Sequence, residues 1–207
     1  MLQTYTEEMV PLTMEDKKKV HREALWHKVV SALVMNSTHI FLQTIYPKES
    51  YGFDRPDYLD ISVGGHIEGA ETEQDALFRE AKEELGLSDF SRIQFIGIRK
   101  INCDPSPTYR IREFQYLYRI YVDKDLKDFD LTQADSEVKS IVALDKKDFI
   151  DLLGKQRESL VAQEAVFDKT TRKLFEIKDR TITLADFIPD YLQQGLFEKI
   201  LSDSVKT

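Results

Sequence analysis

The sequence lacks the features of a covalently cross-linked or membrane-spanning protein. Its single cysteine, Cys103, allows no disulfide within the chain and fits a reducing compartment. No apolar run reaches the length of a membrane-spanning segment, and the acidic residues at the N-terminus do not match a signal peptide. We therefore expect a soluble, cytoplasmic protein that has no membrane partner.

Positive charge is also scarce. The 207 residues carry a formal net charge of −8, and no stripe of lysine and arginine is visible. Proteins that bind a nucleic-acid backbone need such a stripe, so we expect no nucleic-acid partner. The hydrophobic fraction of 42% suffices for the core of one domain with additions.

The segment with the strongest pattern is a glycine-containing loop that leads into an acidic helix. Residues Thr72 to Leu85 are good helix formers without proline or glycine, and Gly86 follows at the position of a C-terminal cap. The pattern therefore predicts one helix. At about 100° per residue, its apolar side chains fall on one arc, which we expect to pack on a sheet. The neighbouring, outward-facing arc carries Glu80, Glu83 and Glu84.

These three glutamates suggest a metal site. Like charges three and four residues apart on a helix repel by about 0.2–0.5 kcal/mol per pair, and a cation between the oxygens would remove that repulsion. Carboxylates with no histidine or cysteine on the same helix suit a hard ion, Mg²⁺ or Mn²⁺. The alternative is that the glutamates form an ordinary solvated surface.

The residues around the glutamates favour the metal site over the solvated surface. Gly64, Gly65 and Gly69 lie in the loop before the helix, where glycine lets the backbone approach a ligand closely. Arg79 can hold Glu71 or another acid of the loop through two parallel hydrogen bonds, which would fix carboxylates that otherwise move apart.

Together these residues resemble the Nudix box, G-x5-E-x7-R-E-U-x-E-E-x-G-U. The chain matches every fixed position, and Ala81 stands where a larger aliphatic residue is commoner. The matching residues are Gly65, Glu71, Arg79, Glu80, Glu83, Glu84, Gly86 and Leu87. The box covers residues 65–87, and the pattern of predicted strands is similar to the same family over residues 27–150.

The resemblance implies an α+β fold, a Nudix-type α/β/α sandwich with a mixed β-sheet. It also implies that Mg²⁺ or Mn²⁺ is held by Glu80, Glu83, Glu84 and the backbone carbonyl of Gly65. The residues that would orient the site or contact the substrate are Gly64, Glu71 and Arg79. In this family the general base is a glutamate of the box or an acid from a later loop, so Glu137 is a candidate base; the alternative is a surface acid.

The histidines resemble a second site, found in the isopentenyl-diphosphate isomerase branch of the superfamily. His21, Trp26-His27 and Gly65-His66 match that branch in order, and its histidines and a later glutamate bind another divalent ion. The residues implied here are His27, His66 and Glu113, a set that suits Zn²⁺ or Mn²⁺. The alternative is that both histidines are structural. The isomerases need a cysteine immediately before the Gly-His pair, where this chain has Gly64, so isomerase proton transfer lacks its thiol.

The remaining chain is predicted to extend this domain at both ends. We predict an N-terminal extension over residues 1–26, the Nudix domain over 27–150, and a helical C-terminal extension over 151–207 that packs on the domain or forms a dimer. The predicted strands cover residues 29–35, 40–45, 58–63, 92–99, 113–122 and 137–144, with irregular loops at 46–56 and 102–109.

The sequence therefore predicts a metal-dependent Nudix hydrolase that cleaves the diphosphate bond of a nucleoside diphosphate linked to another moiety. The substrate is a small molecule, and side chains suited to bind it are Trp26, Tyr46, Tyr51, Phe53, Tyr109, Arg55 and Arg110. Two alternatives remain. One is an isopentenyl-diphosphate isomerase-like protein, and the other is a catalytically weak regulator that binds nucleotides.

Overall fold

The computed structural model describes residues 1–46, 57–107, 109–134 and 137–202. Ten strands in this part of the chain form one mixed sheet. The strands are β1 (Leu2–Tyr5), β2 (Pro11–Glu15), β3 (Trp26–Met35), β4 (His39–Ile45), β5 (Val63–His66), β6 (Arg92–Ser106), β7 (Tyr109–Tyr121), β8 (Val138–Asp145), β9 (Leu160–Phe167) and β10 (Leu174–Ile182). The helices are α1 (Lys17–Arg22), α2 (Glu73–Leu85), α3 (Lys146–Leu153), α4 (Pro189–Gln193) and α5 (Leu196–Leu201).

Strand β3 is the centre of the sheet. Its apolar residues from Val29 to Met35 are buried, as expected for a strand that is covered on both faces. On one side it pairs in parallel with β7, from His27 opposite Glu113 onward. On the other side it pairs in turn with β1, β5 and β4, all antiparallel. This arrangement places β5 and its glycines beside the middle of β3.

Two apolar layers cover the faces of the sheet. On one face, α2 packs Leu77 and Ala81 against side chains of β3 and β7 such as Val30. On the other face, α3 and α5 pack Phe149 and Phe197 against the alternate side chains of the same strands. The result is an α/β/α sandwich with a mixed sheet, which confirms the predicted fold class.

Helix α2 begins and ends where the sequence predicts. The Thr72 hydroxyl accepts a hydrogen bond from the Asp75 N–H, and the Asp75 carboxylate accepts one from the Thr72 N–H, which is a capping box. At the other end Gly86 adopts a left-handed conformation with φ of 63°.

We expect Gly86→Ala to lower the free energy of unfolding by about 1–3 kcal/mol. A Cβ atom at this position would lie 2.1 Å from the Asp130 carbonyl oxygen, in addition to the strain of a positive φ. Gly69→Ala is the matched control, because its φ is also positive, at 55°, but no atom lies within 4 Å of the added Cβ. Urea denaturation measures both changes, and equal losses would show that the contact with Asp130 contributes nothing.

The C-terminal extension is not helical throughout, which corrects the prediction. Residues 160–167 and 174–182 form β9 and β10, a hairpin that adds two strands beside β8. Leu160, Ala162 and Glu164 alternate with exposed residues, which is a strand pattern. The short apolar runs fit both the helical and the strand periodicity. They form strands because the edge of β8 was open for pairing. Helices α4 and α5 follow, as predicted.

Two further boundaries differ from the prediction. The segment 102–109 is largely the tip of the β6–β7 hairpin rather than an irregular loop, because Pro105 lies where the pairing register shifts and needs no ladder hydrogen bond. The strand predicted at 58–63 is reduced to isolated bridges before β5 begins. The loop predicted at 46–56 lies outside the described residues except for Tyr46. No described helix is long and apolar enough to span a membrane.

Candidate active site

One cavity brings most of the predicted site residues together. Its volume is about 450 Å³, and residues of β3, β5, α2, the β6–β7 hairpin and α4 line it. The predicted residues in the lining are Gly64, Gly65, His66, Arg79, Glu80, Glu83, Glu84, Glu113 and Glu137. Of the other predicted residues, His27 is fully buried beside His66, and Glu71 is bonded to Arg79.

Arg79 bonds the carboxylates on α2 and in the segment before it. Its Nε and Nη2 atoms donate to the two oxygens of Glu71 at 2.7 and 3.0 Å, the bidentate pair that the sequence predicts. Its Nη1 donates to Glu80 at 2.8 Å and to Glu83 at 3.0 Å, and Nη2 also reaches the His66 carbonyl at 2.9 Å. The guanidinium lowers the pKa of Glu71. One arginine thus fixes three carboxylates and the backbone of β5.

We expect Arg79→Lys to lower kcat by about 10–100-fold, the usual effect of losing a group that orients metal ligands. A lysine ammonium cannot reproduce the planar fork that bonds Glu71 and Glu80 at the same time. Lys82→Arg is the control, because Lys82 is exposed on the same helix. Full activity of Arg79→Lys in a steady-state assay would show that charge alone is sufficient at this position.

Glu80 lies against Gly65 of strand β5, so the two glycines that the sequence placed in a loop belong to a strand. Its side chain is 14% exposed, and burial raises its pKa although Arg79 acts in the opposite direction. A Cβ atom on Gly65 would fall 1.9 Å from the Glu80 carboxyl carbon, so any larger residue here would displace the Glu80 carboxyl group. The close approach brings the Gly65 backbone and the Glu80 carboxyl group to one point, as the predicted ligand set requires.

Glu84 faces the sheet rather than solvent, which corrects the prediction of an outward arc. Its Oε2 accepts hydrogen bonds from the Gly64 N–H at 3.0 Å and from the Gln43 Nε2 at 3.3 Å. Burial raises the pKa of Glu84 well above its ordinary value, and the nearby Glu80 acts in the same direction. Glu83, in contrast, remains 40% exposed. Glu80 and Glu84 are thus half-buried carboxyl groups close to each other, an arrangement that a divalent cation between them would stabilise.

Glu137 stands at the rim of the same cavity. It is an exposed residue directly before β8, and its carbonyl accepts a hydrogen bond from the Tyr46 N–H at 2.8 Å. Its place in the lining keeps it a candidate base, and its exposure also keeps the interpretation as a surface acid open.

A second cluster combines three histidines with a glutamate. Ligand atoms of His21, His27, His66 and Glu113 all lie within 4.8 Å of one another. His27 faces Glu113 across the parallel pair of β3 and β7, with 3.5 Å between His27 Nε2 and the carboxylate. His66 and Glu113 also line the cavity, so both candidate ion sites border the same space.

The hydrogen bonds of this cluster prepare it for a metal. Nδ1 of His21 and Nδ1 of His27 contact backbone carbonyls, at 3.2 Å from Arg110 and 2.9 Å from Leu25. Each Nδ1 therefore carries the proton, so each Nε2 is an acceptor. Nε2 of His21 accepts a hydrogen bond from Nε2 of His66 at 3.1 Å. Nε2 of His27 is buried and has no hydrogen-bond partner among the described residues. Burial lowers the pKa of His21 and that of His66, which keeps both rings neutral at pH 7. These donors fit Zn²⁺ or Mn²⁺.

Several cavity residues carried no signal in the sequence. Gln43, Asp60 and Tyr191 come from separate segments, and nothing in their spacing relates them to the box. The Tyr191 hydroxyl donates to Asp60 Oδ1 at 2.5 Å. Cys103 also lines the cavity, and burial raises the pKa of its thiol to about 11. The thiol therefore stays protonated at neutral pH.

Of the side chains predicted to contact a substrate, Tyr109 lines the cavity, where its ring stacks on His21 with 4.3 Å between ring centroids. Trp26 instead stacks on Phe114 outside the cavity. Three of the predicted contacts lie outside the described residues: Tyr51, Phe53 and Arg55.

The fold and the site define an α/β/α sandwich in which the glycines of strand β5 and an acidic helix bring carboxylates to one cavity. Residues 25–163 match the family model of the NUDIX domain, which covers most of the chain. The protein therefore belongs to the Nudix hydrolase family.

The individual proteins that resemble this chain share only limited sequence identity with it. The Nudix hydrolase all7351 of Nostoc sp. is 35% identical over 68 residues, which are 33% of this chain and 38% of that relative. The DR0079 protein of Deinococcus radiodurans is a structural neighbour with a TM-score of 0.48 and 20% identity, over 74% of this chain and 88% of that one. A NUDIX-family hydrolase of Clostridium perfringens has a TM-score of 0.41 and 21% identity, over 61% and 84%.

Proposed function

We propose that the protein is a Mg²⁺- or Mn²⁺-dependent hydrolase that cleaves the diphosphate bond of a nucleoside diphosphate linked to another moiety. The observation that carries this proposal is that the half-buried carboxyl groups of Glu80 and Glu84 both contact the Gly64-Gly65 backbone. Two desolvated carboxyl groups at one point of a cavity are unfavourable by themselves, and a divalent cation compensates both.

The ligands for this cation would be Glu80, Glu83, Glu84 and the Gly65 carbonyl. When bound, it would neutralise phosphate oxygens and lower the pKa of a water molecule. Glu71 fixes the Arg79 guanidinium, and Arg79 in turn bonds the Glu80 carboxylate directly. The ligands therefore do not have to reorganise during turnover. The reaction adds water across the P–O–P linkage, and Glu137 or a glutamate of the box would accept the proton.

The histidine cluster would hold a second ion, Zn²⁺ or Mn²⁺, at the same cavity. His21, His27, His66 and Glu113 supply one ligand atom each. This cluster also favours the alternative function, an isopentenyl-diphosphate isomerase-like activity. Cys103 is the nearest substitute for the thiol that such a reaction needs, but burial keeps it protonated and it comes from the β6–β7 hairpin instead of β5.

The test is a substrate panel measured in Mg²⁺ and in Mn²⁺. It contains nucleotide sugars, dinucleotides, coenzyme A, nucleoside triphosphates and isopentenyl diphosphate. We expect cleavage of at least one diphosphate bond, detected as a phosphomonoester product. Interconversion of isopentenyl diphosphate without cleavage would support the isomerase alternative, and tight binding without turnover would support a regulator.

A further inference from the structure

The C-terminal segment contributes a wall of the cavity. Ile188, Asp190 and Tyr191 line the cavity, although they follow the last residue of the family match at position 163. We call this segment, residues 188–191, the C-terminal wall. Because it is an addition to the matched domain, it is suited to distinguish substrates and is not needed to form the metal ligands on α2.

The C-terminal wall is held from three directions. Tyr191 donates its hydroxyl to Asp60 at 2.5 Å, and Arg99 Nη2 bonds Asp190 at 3.2 Å and Gln194 at 2.8 Å. The Leu59 N–H also donates to the Asp186 carbonyl at 2.7 Å. Since these partners belong to β6 and to the segment before β5, the wall is fixed before any ligand arrives.

The surface next to the wall is apolar, with Ile101 and Ile111 of the β6–β7 hairpin lining the cavity together with Ile188. Hydrogen-bond acceptors interrupt it. Gln43 donates through Nε2 to Glu84, so its amide orientation is fixed, because the reverse orientation would bring two acceptors together. Its Oε1 is buried and has no hydrogen-bond partner among the described residues, so it can accept a donor from a ligand.

Among the charged side chains that line the cavity, acidic residues outnumber basic ones. Within the described lining, the positive side chains are Lys17 and Arg79, and the Arg79 guanidinium already bonds three carboxylates. The acidic lining residues near the wall are Asp60, Glu113 and Asp190. The cations of the metal sites would neutralise a diphosphate. Near the wall, Asp190 is paired with Arg99, but the Arg99 guanidinium does not line the cavity, so a further anionic group would face the carboxylates of Asp60 and Asp190 without a cation in the described lining beside them.

We propose that the C-terminal wall selects the group attached to the diphosphate, and that it favours an uncharged, hydroxyl-bearing group with an apolar face, such as a neutral sugar, over an anionic one. The inference rests on the proposed function. Hydroxyl donors would satisfy Gln43 Oε1, the isoleucines would contact the apolar face, and a carboxylate on the same group would be repelled.

The test compares two substrates that differ by one carboxylate, UDP-glucose and UDP-glucuronate. We expect the wild type to have a kcat/KM at least about tenfold higher for UDP-glucose. Asp190→Asn removes one negative charge without changing side-chain volume, and it should narrow this ratio by about three- to tenfold. Asp151→Asn is the matched control, because Asp151 is similarly exposed, at 26% against 30%, but lies on α3 outside the lining.

A second pair of variants tests the same point with a stronger change. Ile188→Lys places a cation in the wall and should shift the preference toward UDP-glucuronate, whereas Ile150→Lys, at a surface position that is 53% exposed, should not. If Ile188→Lys does not fold, the comparison of Asp190→Asn with Asp151→Asn decides.

Several results would overturn the inference. They are equal kcat/KM values for both sugars in the wild type, or the same ratio in Asp190→Asn and Asp151→Asn. If neither nucleotide sugar is hydrolysed, both are measured as competitive inhibitors of whichever substrate the protein does hydrolyse. Absence of binding by both nucleotide sugars would also overturn the inference. The proposed function fails separately, only when no diphosphate of the wider panel is cleaved.

Discussion

Glu84→Gln is expected to lower kcat by at least about a hundredfold with every substrate that the wild type hydrolyses. Loss of a group that merely supports a metal ligand costs about 10–100-fold, and Glu84 is proposed as a ligand itself. Glutamine keeps the volume and can still accept the hydrogen bond from the Gly64 N–H, so the backbone of β5 is retained. Steady-state kinetics over a range of Mg²⁺ and Mn²⁺ concentrations measures the change.

The same substitution should stabilise the metal-free protein, because burial raises the pKa of Glu84 well above its ordinary value of 4.5. A carboxyl group of this kind contributes stability that is present below the unfolded-state pKa and lost as the pH rises through the folded-state pKa. We therefore expect the wild type, without divalent ions, to lose stability from about pH 4.5 upward, toward neutral pH. Glu84→Gln has no such loss, so its Tm at pH 7 should be higher by about 2–4 °C.

Glu73→Gln is the matched control for both measurements. Glu73 lies in the first turn of the same helix, pairs with Lys28 at 3.0 Å and does not line the cavity. It should retain the wild-type kcat and gain no stability. Equal activity of Glu84→Gln and the wild type would show that the carboxylates on α2 are not the catalytic centre, whatever their effect on Tm.

The second large effect is expected for His27→Gln, which should lower the affinity for Zn²⁺ or Mn²⁺ by about a hundredfold or more. Nε2 of His27 is buried, presents a lone pair and lies among three other ligand atoms. Glutamine fills most of the space but offers an amide instead of an imidazole nitrogen. Calorimetric titration and elemental analysis of the purified protein would report the affinity and the number of bound ions.

His39→Gln is the control, because His39 is the remaining histidine of the chain and bonds Thr38 away from the cluster. It should bind metal as the wild type does. Identical stoichiometry and affinity in His27→Gln and His39→Gln would support the alternative that the clustered histidines are structural. Activity with Mg²⁺ alone then shows separately whether the box site works without them.

The sequence predicted the elements that depend on local pattern. Helix α2 and its Gly86 cap followed from propensity and spacing, and the β3–β4 hairpin followed from two apolar runs that flank a turn. The C-terminal hairpin was missed for a related reason. A run such as Leu160–Phe167 is too short to distinguish a strand from a helix, and only the neighbouring edge of β8 decides it.

The candidate site likewise contains residues that the sequence predicted and residues that it did not. The box residues and the order of the histidines are sequence patterns, so the candidate metal ligands could be named in advance. Gln43, Asp60 and Tyr191 could not be named, since they contact the site from segments far apart in the chain. The direction of Glu84, toward the sheet, also depends on where β4 and β5 lie.

By itself, the sequence predicted the chemistry proposed for this protein, because Gly65, Glu71, Arg79, Glu80, Glu83 and Glu84 have the spacing of the box, on helix α2 and in the segment before it. The tertiary structure decided how buried those groups are, that a histidine cluster borders the same cavity, and that Ile188, Asp190 and Tyr191 line it. Burial and long-range contacts arise only when separate strands and helices pack, and they set the pKa values and the shape that a substrate would meet.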